Sequence, residues 1–176
     1  VVYMDAAMQA EQRKHPDCQV RPAGIFYYNV KDPMLQKEME EDLDELDPEI
    51  FKKLKMNGLV MDDRDVIENL ERTTISLPLS YTTKGTLRKG SSVASETEFE
   101  LLDAYVKKKI TDIRESILNG NAEAAPYEMG NRNACTYCPY QGTCGFDRKI
   151  PGYEFRRLKQ FADEEIWKAF AKEVED

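Results

Sequence analysis

Ile25-Phe26-Tyr27-Tyr28-Asn29-Val30 forms an apolar and aromatic run bounded by Gly24 and by Asp32-Pro33. A run of this length between turn residues predicts a buried β-strand. Residues 73 to 79 are rich in β-branched side chains and predict another strand, although Pro78 restricts it to a sheet edge or a strand end. Because most of the remaining chain has helical patterns, we expect an α/β fold that is mostly helical with a few strands.

Local patterns predict three helices. Residues 1 to 14 are strong helix formers, and Pro16 ends that run. Ser95-Glu96-Thr97-Glu98 is a capping box, and apolar residues recur behind it at spacings of three and four until Asn119-Gly120. A last amphipathic helix is predicted near Asp163 to Val174.

Residues 34 to 72 predict a helical insertion made of two amphipathic helices and a connector. Apolar side chains recur among charges at spacings of mostly three and four, with Asp47-Pro48 as a helix start and Asn57-Gly58 as a stop. The acidic residues of Met61-Asp62-Asp63-Arg64-Asp65 could form a carboxylate site. We interpret them instead as a helix start, with Asp62 as the N-cap and Asp65 in the first turn, where both stabilise free backbone amides.

The composition limits the class of protein. The 176 residues are one domain's worth of chain, and 41% hydrophobic and 33% charged residues fit a soluble globular protein. No apolar stretch approaches the roughly 20 residues of a membrane helix, so we expect no membrane span. The net charge of -8 argues against a free-standing nucleic-acid binder, because phosphate binding requires clustered Lys and Arg.

Two further stretches carry expectations about context. The loop from Tyr81 to Ser92 combines three cations with glycines and hydroxyls, which suit either DNA contact or an ordinary solvated hairpin. The chain begins Val1-Val2 without an initiator Met or a signal-peptide pattern. We therefore expect a fragment of a longer cytoplasmic protein.

The segment from 134 to 146 concentrates the chemistry, because it contains Cys135, Cys138 and Cys144. Two thiolates separated by two residues can reach one metal centre, and a third one nearby can close the loop around it. Free structural thiols are the alternative, but core packing does not favour a polar loop. Cys18 and His15 are the only further soft ligands. The sequence therefore indicates an incomplete thiolate site for an iron-sulfur cluster or for zinc.

The sequence resembles the C-terminal, RecB-like nuclease domain of the B subunit of AddAB-type ATP-dependent helicase-nucleases. The resemblance covers nearly the whole chain. It is carried by Pro22–Met34, Gly58–Asp63, Ser91–Leu102, Pro126-Tyr127, the cysteine loop, Phe146-Asp147, Pro151-Gly152 and Arg156-Arg157-Leu158. It implies that residues 1–176 are the C-terminal part of a PD-(D/E)XK nuclease domain.

The resemblance also implies two metal centres. In that family an Asp and an Asp/Glu-x-Lys pair hold Mg²⁺ for phosphodiester hydrolysis. These motifs would precede residue 1, where only Tyr3 matches the tyrosine of the helix that follows them, so no catalytic residue is expected here. Cys135, Cys138 and Cys144 match three ligands of a 4Fe-4S cluster. The fourth ligand would lie upstream, outside this fragment, so that the cluster joins the two ends of the domain.

The implied parent is a Mg²⁺-dependent exodeoxyribonuclease that processes double-strand DNA ends for recombinational repair. Its partners would be DNA and the helicase-nuclease A subunit, and the fragment alone would be inactive. Two alternatives stay open at this point. One is another RecB-like iron-sulfur exonuclease of the CRISPR-associated type, and the other is a non-enzymatic zinc-binding interaction module that uses Cys18 or His15 as a fourth ligand.

Overall fold

The computed structural model describes residues 1–28, 30, 50, 51, 53–73 and 75–175, and the chain divides into two units, Val1–Val106 and Lys107–Asp176. The first unit contains α1 (Val2–Lys14), β1 (Gly24–Tyr27), β2 (Asn57–Met61), α2 (Arg64–Leu70), β3 (Val93–Ala94) and the start of α3 (Glu96–Leu118). The second contains β4 (Tyr127–Met129), β5 (Arg132–Asn133), α4 (Gln141–Cys144), β6 (Arg156–Arg157) and α5 (Asp163–Glu175). Helices and mixed sheets occur together, which confirms the predicted α/β class.

The sheet of the first unit has the order β1-β2-β3. β1 pairs with β2 in antiparallel orientation, with Ile25 opposite Leu59, and β2 pairs with β3 in parallel orientation. Gly58 has φ of +144°, and a Cβ added there would lie 1.9 Å from the carbonyl oxygen of Ile25. Only glycine therefore allows the two strands to approach this closely.

The core of the first unit forms on this sheet. Val60 of β2 and Ile67 of α2 are buried with Leu77 and Leu79. The last two come from an irregular segment, so the predicted strand over 73–79 is wrong for its described residues. The reason lies in the hydrogen bonds: the Ser76 amide bonds the Glu71 carboxylate, and the Leu79 amide bonds the carbonyl of Leu77. These amides are satisfied locally rather than by a neighbouring strand.

The predicted helical insertion over 34–72 is corrected where the structure describes it. Residues 31–49 and 52 lie outside the described part, and the amide of Leu54 bonds the carbonyl of Ile50, as in a helical turn. Residues 57–61, which begin at the predicted helix stop, form the central strand β2 rather than a connector, because they pair on both sides and Val60 and Met61 are buried. Helix α2 then follows.

The predicted helices α1, α3 and α5 are confirmed. At the start of α3 the Glu98 carboxylate accepts from the Ser95 amide at 2.7 Å, while the Ser95 hydroxyl accepts from the Glu98 amide at 3.3 Å. This reciprocal pair is the predicted capping box. Within the second unit an ion pair joins Lys109 of α3 to Glu173 of α5. None of the helices in the described residues is long and apolar enough to span a membrane.

The second unit has its own three-stranded sheet in the order β5-β4-β6. β4 and β5 form an antiparallel hairpin, and β6 pairs with β4 in parallel orientation. The hairpin leads directly into the cysteine segment, while β6 returns the chain to the same sheet after it. The sheet therefore anchors both ends of the segment that carries the candidate ligands.

Candidate functional site

The first two cysteines lie on a turn that is organised by Asn133, the last residue of β5. The Asn133 Oδ1 atom accepts hydrogen bonds from the amides of Cys135 and Thr136, both at 2.9 Å, and from the Thr136 hydroxyl at 3.0 Å. The amide of Cys138 then bonds the carbonyl of Cys135 at 3.2 Å. This arrangement places the two cysteines three positions apart on one tight turn. The position of Asn two residues before a cysteine is the sequence signal for such a turn.

The third cysteine ends the short helix α4. The Cys144 amide bonds the carbonyl of Tyr140 at 2.9 Å, and Gly145 follows in the left-handed conformation with φ of +68°. The Gln141 side-chain amide donates to the Cys135 carbonyl and so joins this helix to the first turn. This bond holds the start of α4 against the turn that contains Cys135, three residues before Cys144.

All three cysteines line one open cavity of about 380 Å³. Cys135 and Cys138 are half-buried, Cys144 is exposed, and all three thiols are free. The other lining residues are Gln141, Phe146, Asp147, Arg148 and Phe155. Phe146 and Phe155, whose ring centres are 5.0 Å apart, give the cavity an aromatic wall, and the ring centre of Tyr153 lies 5.5 Å from that of Phe146. The sequence analysis identified the three thiols and did not identify Gln141, Arg148 or this wall.

The donor set suits a thiophilic centre, since three Cys side chains on one loop are the ligands that iron-sulfur clusters and zinc share. Their geometry is not that of a closed site: over the described ranges, no group of three or more His, Cys, Asp and Glu side chains is arranged to hold a metal ion. The loop therefore brings the sulfurs to a common cavity and leaves the coordination shell incomplete. No catalytic carboxylate cluster for Mg²⁺ is present among the described residues either.

The two further soft ligands belong to the first unit. Cys18 is exposed, and its carbonyl accepts from the Gln12 side chain at 2.7 Å. His15 Nε2 lies 3.9 Å from a carboxylate oxygen of Glu11. Each has local partners on or beside α1, and a role for either residue as a fourth ligand stays a prediction.

The acidic run before α2 caps that helix, as predicted, although the capping residue is Asp63 and not Asp62. The Asp63 carboxylate accepts from the amides of Asp65 and Val66 and lies 3.2 Å from the Arg21 guanidinium. The hydrogen bond from the Val66 amide is the largest cause that lowers the pKa of Asp63 below its usual value, with Asp65 and Arg21 adding to the effect. Its extended backbone suits an N-cap.

The loop from Tyr81 to Ser92 is a hairpin-like turn. Tyr81 and Leu87 form an antiparallel bridge, and the hydroxyls of Thr82 and Thr86 are 2.8 Å apart. The cations Lys84, Arg88 and Lys89 are exposed on it. DNA contact through this loop stays a prediction.

Comparison with known proteins adds a family and relatives. The profile of the PD-(D/E)XK nuclease superfamily matches residues 1–145, a range that includes all three cysteines of the loop. A protein of Thermoanaerobacter sp. (strain X514) is 35% identical over 99% of this chain, one of Lachnoclostridium phytofermentans is 38% identical over 99%, and one of Bacillus subtilis (strain 168) is 35% identical over 88%. Each is named as the B subunit of an ATP-dependent helicase/deoxyribonuclease. The chain spans only 14–16% of the length of these relatives.

Proposed function

We propose, because this chain belongs to the PD-(D/E)XK nuclease superfamily, that it is the C-terminal part of the nuclease domain in the B subunit of an ATP-dependent helicase/deoxyribonuclease. The relatives with that name match nearly the whole chain. In this proposal the parent is a cytoplasmic Mg²⁺-dependent exodeoxyribonuclease. It processes double-strand DNA ends for recombinational repair together with the helicase-nuclease A subunit.

The observation that carries the proposal is the shared cavity of Cys135, Cys138 and Cys144. In the parent these residues would provide three thiolates to a 4Fe-4S cluster, and a cysteine outside the 176 residues would provide the fourth. The cluster would supply a cross-link through iron–thiolate bonds. Asn133 and Gln141 would fix the backbone around the ligands, because their side chains bond the amide and the carbonyl of Cys135.

The role of the chain is therefore structural rather than catalytic. The carboxylates that hold Mg²⁺ would lie in the part of the parent that this chain does not span. The three cysteines would not touch the reacting phosphate. Their function would be to tie the C-terminal segment of the nuclease domain to a distant part of the same polypeptide.

The test compares iron content and visible absorbance in the full-length protein, purified without oxygen. The wild type is expected to show a broad absorbance near about 400 nm from thiolate-bound iron. Cys138→Ser should lose this absorbance, whereas Cys18→Ser, which changes an exposed thiol of the first unit, should keep it.

The isolated 176-residue chain gives the second arm of the test. Anaerobic reconstitution should leave it short of full cluster iron and sulfide, because one ligand is missing. Full 4Fe-4S occupancy in the isolated chain would contradict the proposal. Stoichiometric colourless zinc that is lost in Cys18→Ser would instead support the zinc-binding module.

A further inference from the structure

The cationic residues of the second unit are concentrated in one segment. The chain has a net charge of -8, yet residues 1–106 contain 13 Lys and Arg against 21 Asp and Glu, and residues 107–176 contain 12 of each. The first unit therefore accounts for the whole net charge. Within the neutral second unit, residues 148–159 hold five cations, Arg148, Lys149, Arg156, Arg157 and Lys159, against the single acid Glu154. We name residues 148–159 the basic edge.

Two residues of this segment form the edge of a sheet. β6 (Arg156–Arg157) is an outer strand in the order β5-β4-β6, and both of its arginines are exposed. Neighbouring strand residues point to opposite faces, so each face receives one arginine. Arg156 lies opposite Tyr127 of β4, and Arg157 lies opposite Glu128. The basic edge therefore offers cations on both sides of an open strand.

Most of these cations have no carboxylate partner. In the part of the chain that the structure describes, Arg157 is the only one of the five with an ion pair, at 3.7 Å from Glu128, and its side chain is 80% exposed. Such an exposed pair contributes little and is easily exchanged for a stronger anion. The charge of the basic edge is thus available for a ligand.

Aromatic rings lie beside these cations. The Arg148 guanidinium is 5.6 Å from the centre of the Phe155 ring, and the Lys159 ammonium is 5.1 Å from that of Phe161. Phe161 is 41% exposed, and Tyr127, opposite Arg156, is 39% exposed. Proteins bind single-stranded nucleic acid with cations that contact the phosphate backbone and with exposed aromatic rings on which the unpaired bases stack. An acidic peptide would use the cations and leave the rings without a partner.

We propose that the basic edge binds single-stranded DNA, with the cations on the phosphates and Tyr127 and Phe161 against the bases. The choice of DNA rests on the proposed function. The experiment can be separated from it: Arg148 and Phe155 also line the cysteine cavity, whereas Arg156, Arg157 and Lys159, which the test variant changes, do not. Its role would be to hold an unwound strand beside the cysteine loop.

The experiment measures binding of a fluorescent oligo(dT) of about 20 nucleotides to the 176-residue chain by anisotropy, over a series of salt concentrations. The test variant is Arg156→Ala/Arg157→Ala/Lys159→Ala. The matched control is Arg13→Ala/Lys14→Ala/Arg72→Ala, which removes the same charge from exposed positions of the first unit outside the 81–92 loop. The test variant should bind at least about tenfold more weakly, and its salt slope should fall by about two, since each single-strand contact contributes about 0.7. The control should bind as the wild type does.

A second variant tests the cations without changing β6, in case the triple substitution disrupts that β-strand. Lys149→Ala/Lys159→Ala changes two exposed residues outside β6 and should weaken binding by several-fold, with an unchanged circular dichroism spectrum. Tyr127→Ala should weaken the binding of oligo(dT) more than the binding of a duplex of the same length, because only unpaired bases can stack on the tyrosine ring.

Several results would overturn the inference. These are no measurable oligo(dT) binding by the wild type at low salt, equal losses in the test and control variants, and competition by polyglutamate as strong as that by unlabelled oligo(dT). Equal loss of duplex and single-strand binding in Tyr127→Ala would also overturn it. None of these results bears on the cluster, which is read from iron content. A full-length protein without iron would contradict the proposed function and leave the binding comparison valid.

Discussion

Gly58 shows how one residue permits the sheet of the first unit. Its φ of +144° is unfavourable for any residue with a side chain, and a Cβ would meet the Ile25 carbonyl, which belongs to the paired strand. We expect Gly58→Ala to lower the free energy of unfolding by about 3 kcal/mol or more, because backbone strain and overlap add. Urea denaturation measures this.

Gly120 provides the matched control for that change. It also has a positive φ, +70°, but no atom lies within 4 Å of an added Cβ. Gly120→Ala should therefore cost only about 1 kcal/mol, the cost of the left-handed conformation alone. Equal losses in the two variants would show that the close approach of β1 and β2 is not what requires Gly58.

Asp63 should make the stability of the first unit depend on pH. Its pKa in the folded chain lies below the ordinary value of 3.8, mainly because the Val66 amide donates to the carboxylate. A carboxyl group with a lowered folded pKa stabilises the fold above its unfolded pKa, and this contribution is lost as the pH falls through the folded value. Asp63→Asn keeps a capping oxygen and removes only the charge.

We therefore expect the wild type to unfold at higher urea than Asp63→Asn at neutral pH, and the two midpoints to converge as the pH falls below 3.8. Asp62→Asn is the control, because Asp62 is the neighbouring acid and does not cap α2. A difference between wild type and Asp63→Asn that is constant from about pH 7 to about pH 3 would contradict the assignment of the charge.

At the scale of single elements, the capping box of α3 makes a local contribution that can be measured. The Ser95 hydroxyl and the Glu98 carboxylate satisfy each other's backbone amides. Ser95→Ala should destabilise the chain by about 1 kcal/mol, since it leaves the Glu98 amide without its acceptor. Thr111→Ala, which removes an exposed hydroxyl bonded to the Lys107 carbonyl, should be nearly neutral. A thermal melt in which both variants behave alike would argue against the cap.

Elements that are specified by neighbouring residues could be predicted from the sequence, and elements that depend on distant contacts could not. Helix α3 is specified by neighbouring residues, so its start at Ser95 and its apolar spacing were sufficient. Strand β2 depends on pairing with β1 and β3, which are distant in sequence, so local patterns predicted only a helix stop and a connector there. The segment around Leu77 has strand-forming residues but bonds the Glu71 side chain, a contact that no local pattern announces.

The features of the candidate site also differ in whether the sequence could predict them. The spacing of Cys135, Cys138 and Cys144 identified the loop, because the ligand types and their separation are written directly in the sequence. The bonds from Asn133 and Gln141 that shape the loop, and the aromatic wall of its cavity, depend on the folded backbone. Sequence can therefore name ligands more readily than the groups that position them.

At the scale of the whole chain, the net charge and the candidate functional groups lie in different units. Residues 1–106 carry the entire net charge, while the neutral residues 107–176 contain both the cysteine loop and the basic edge. A net charge of -8 is therefore a poor guide to nucleic-acid binding here, because affinity for phosphate depends on the local density of cations. The candidate functions of this chain are concentrated in its second unit.

The last prediction concerns the activity of the whole chain. The isolated 176 residues should not cleave single- or double-stranded DNA in the presence of Mg²⁺, including DNA that the proposed basic edge would bind. Hydrolysis by this superfamily needs a metal held by carboxylates that activates water, and the described residues contain no group of three or more His, Cys, Asp and Glu side chains placed to hold one. The assay uses end-labelled DNA with Mg²⁺ or EDTA, and the full-length protein with its partner serves as the positive control. EDTA-sensitive cleavage that co-elutes with the chain through successive columns would show that a catalytic metal site lies within these residues.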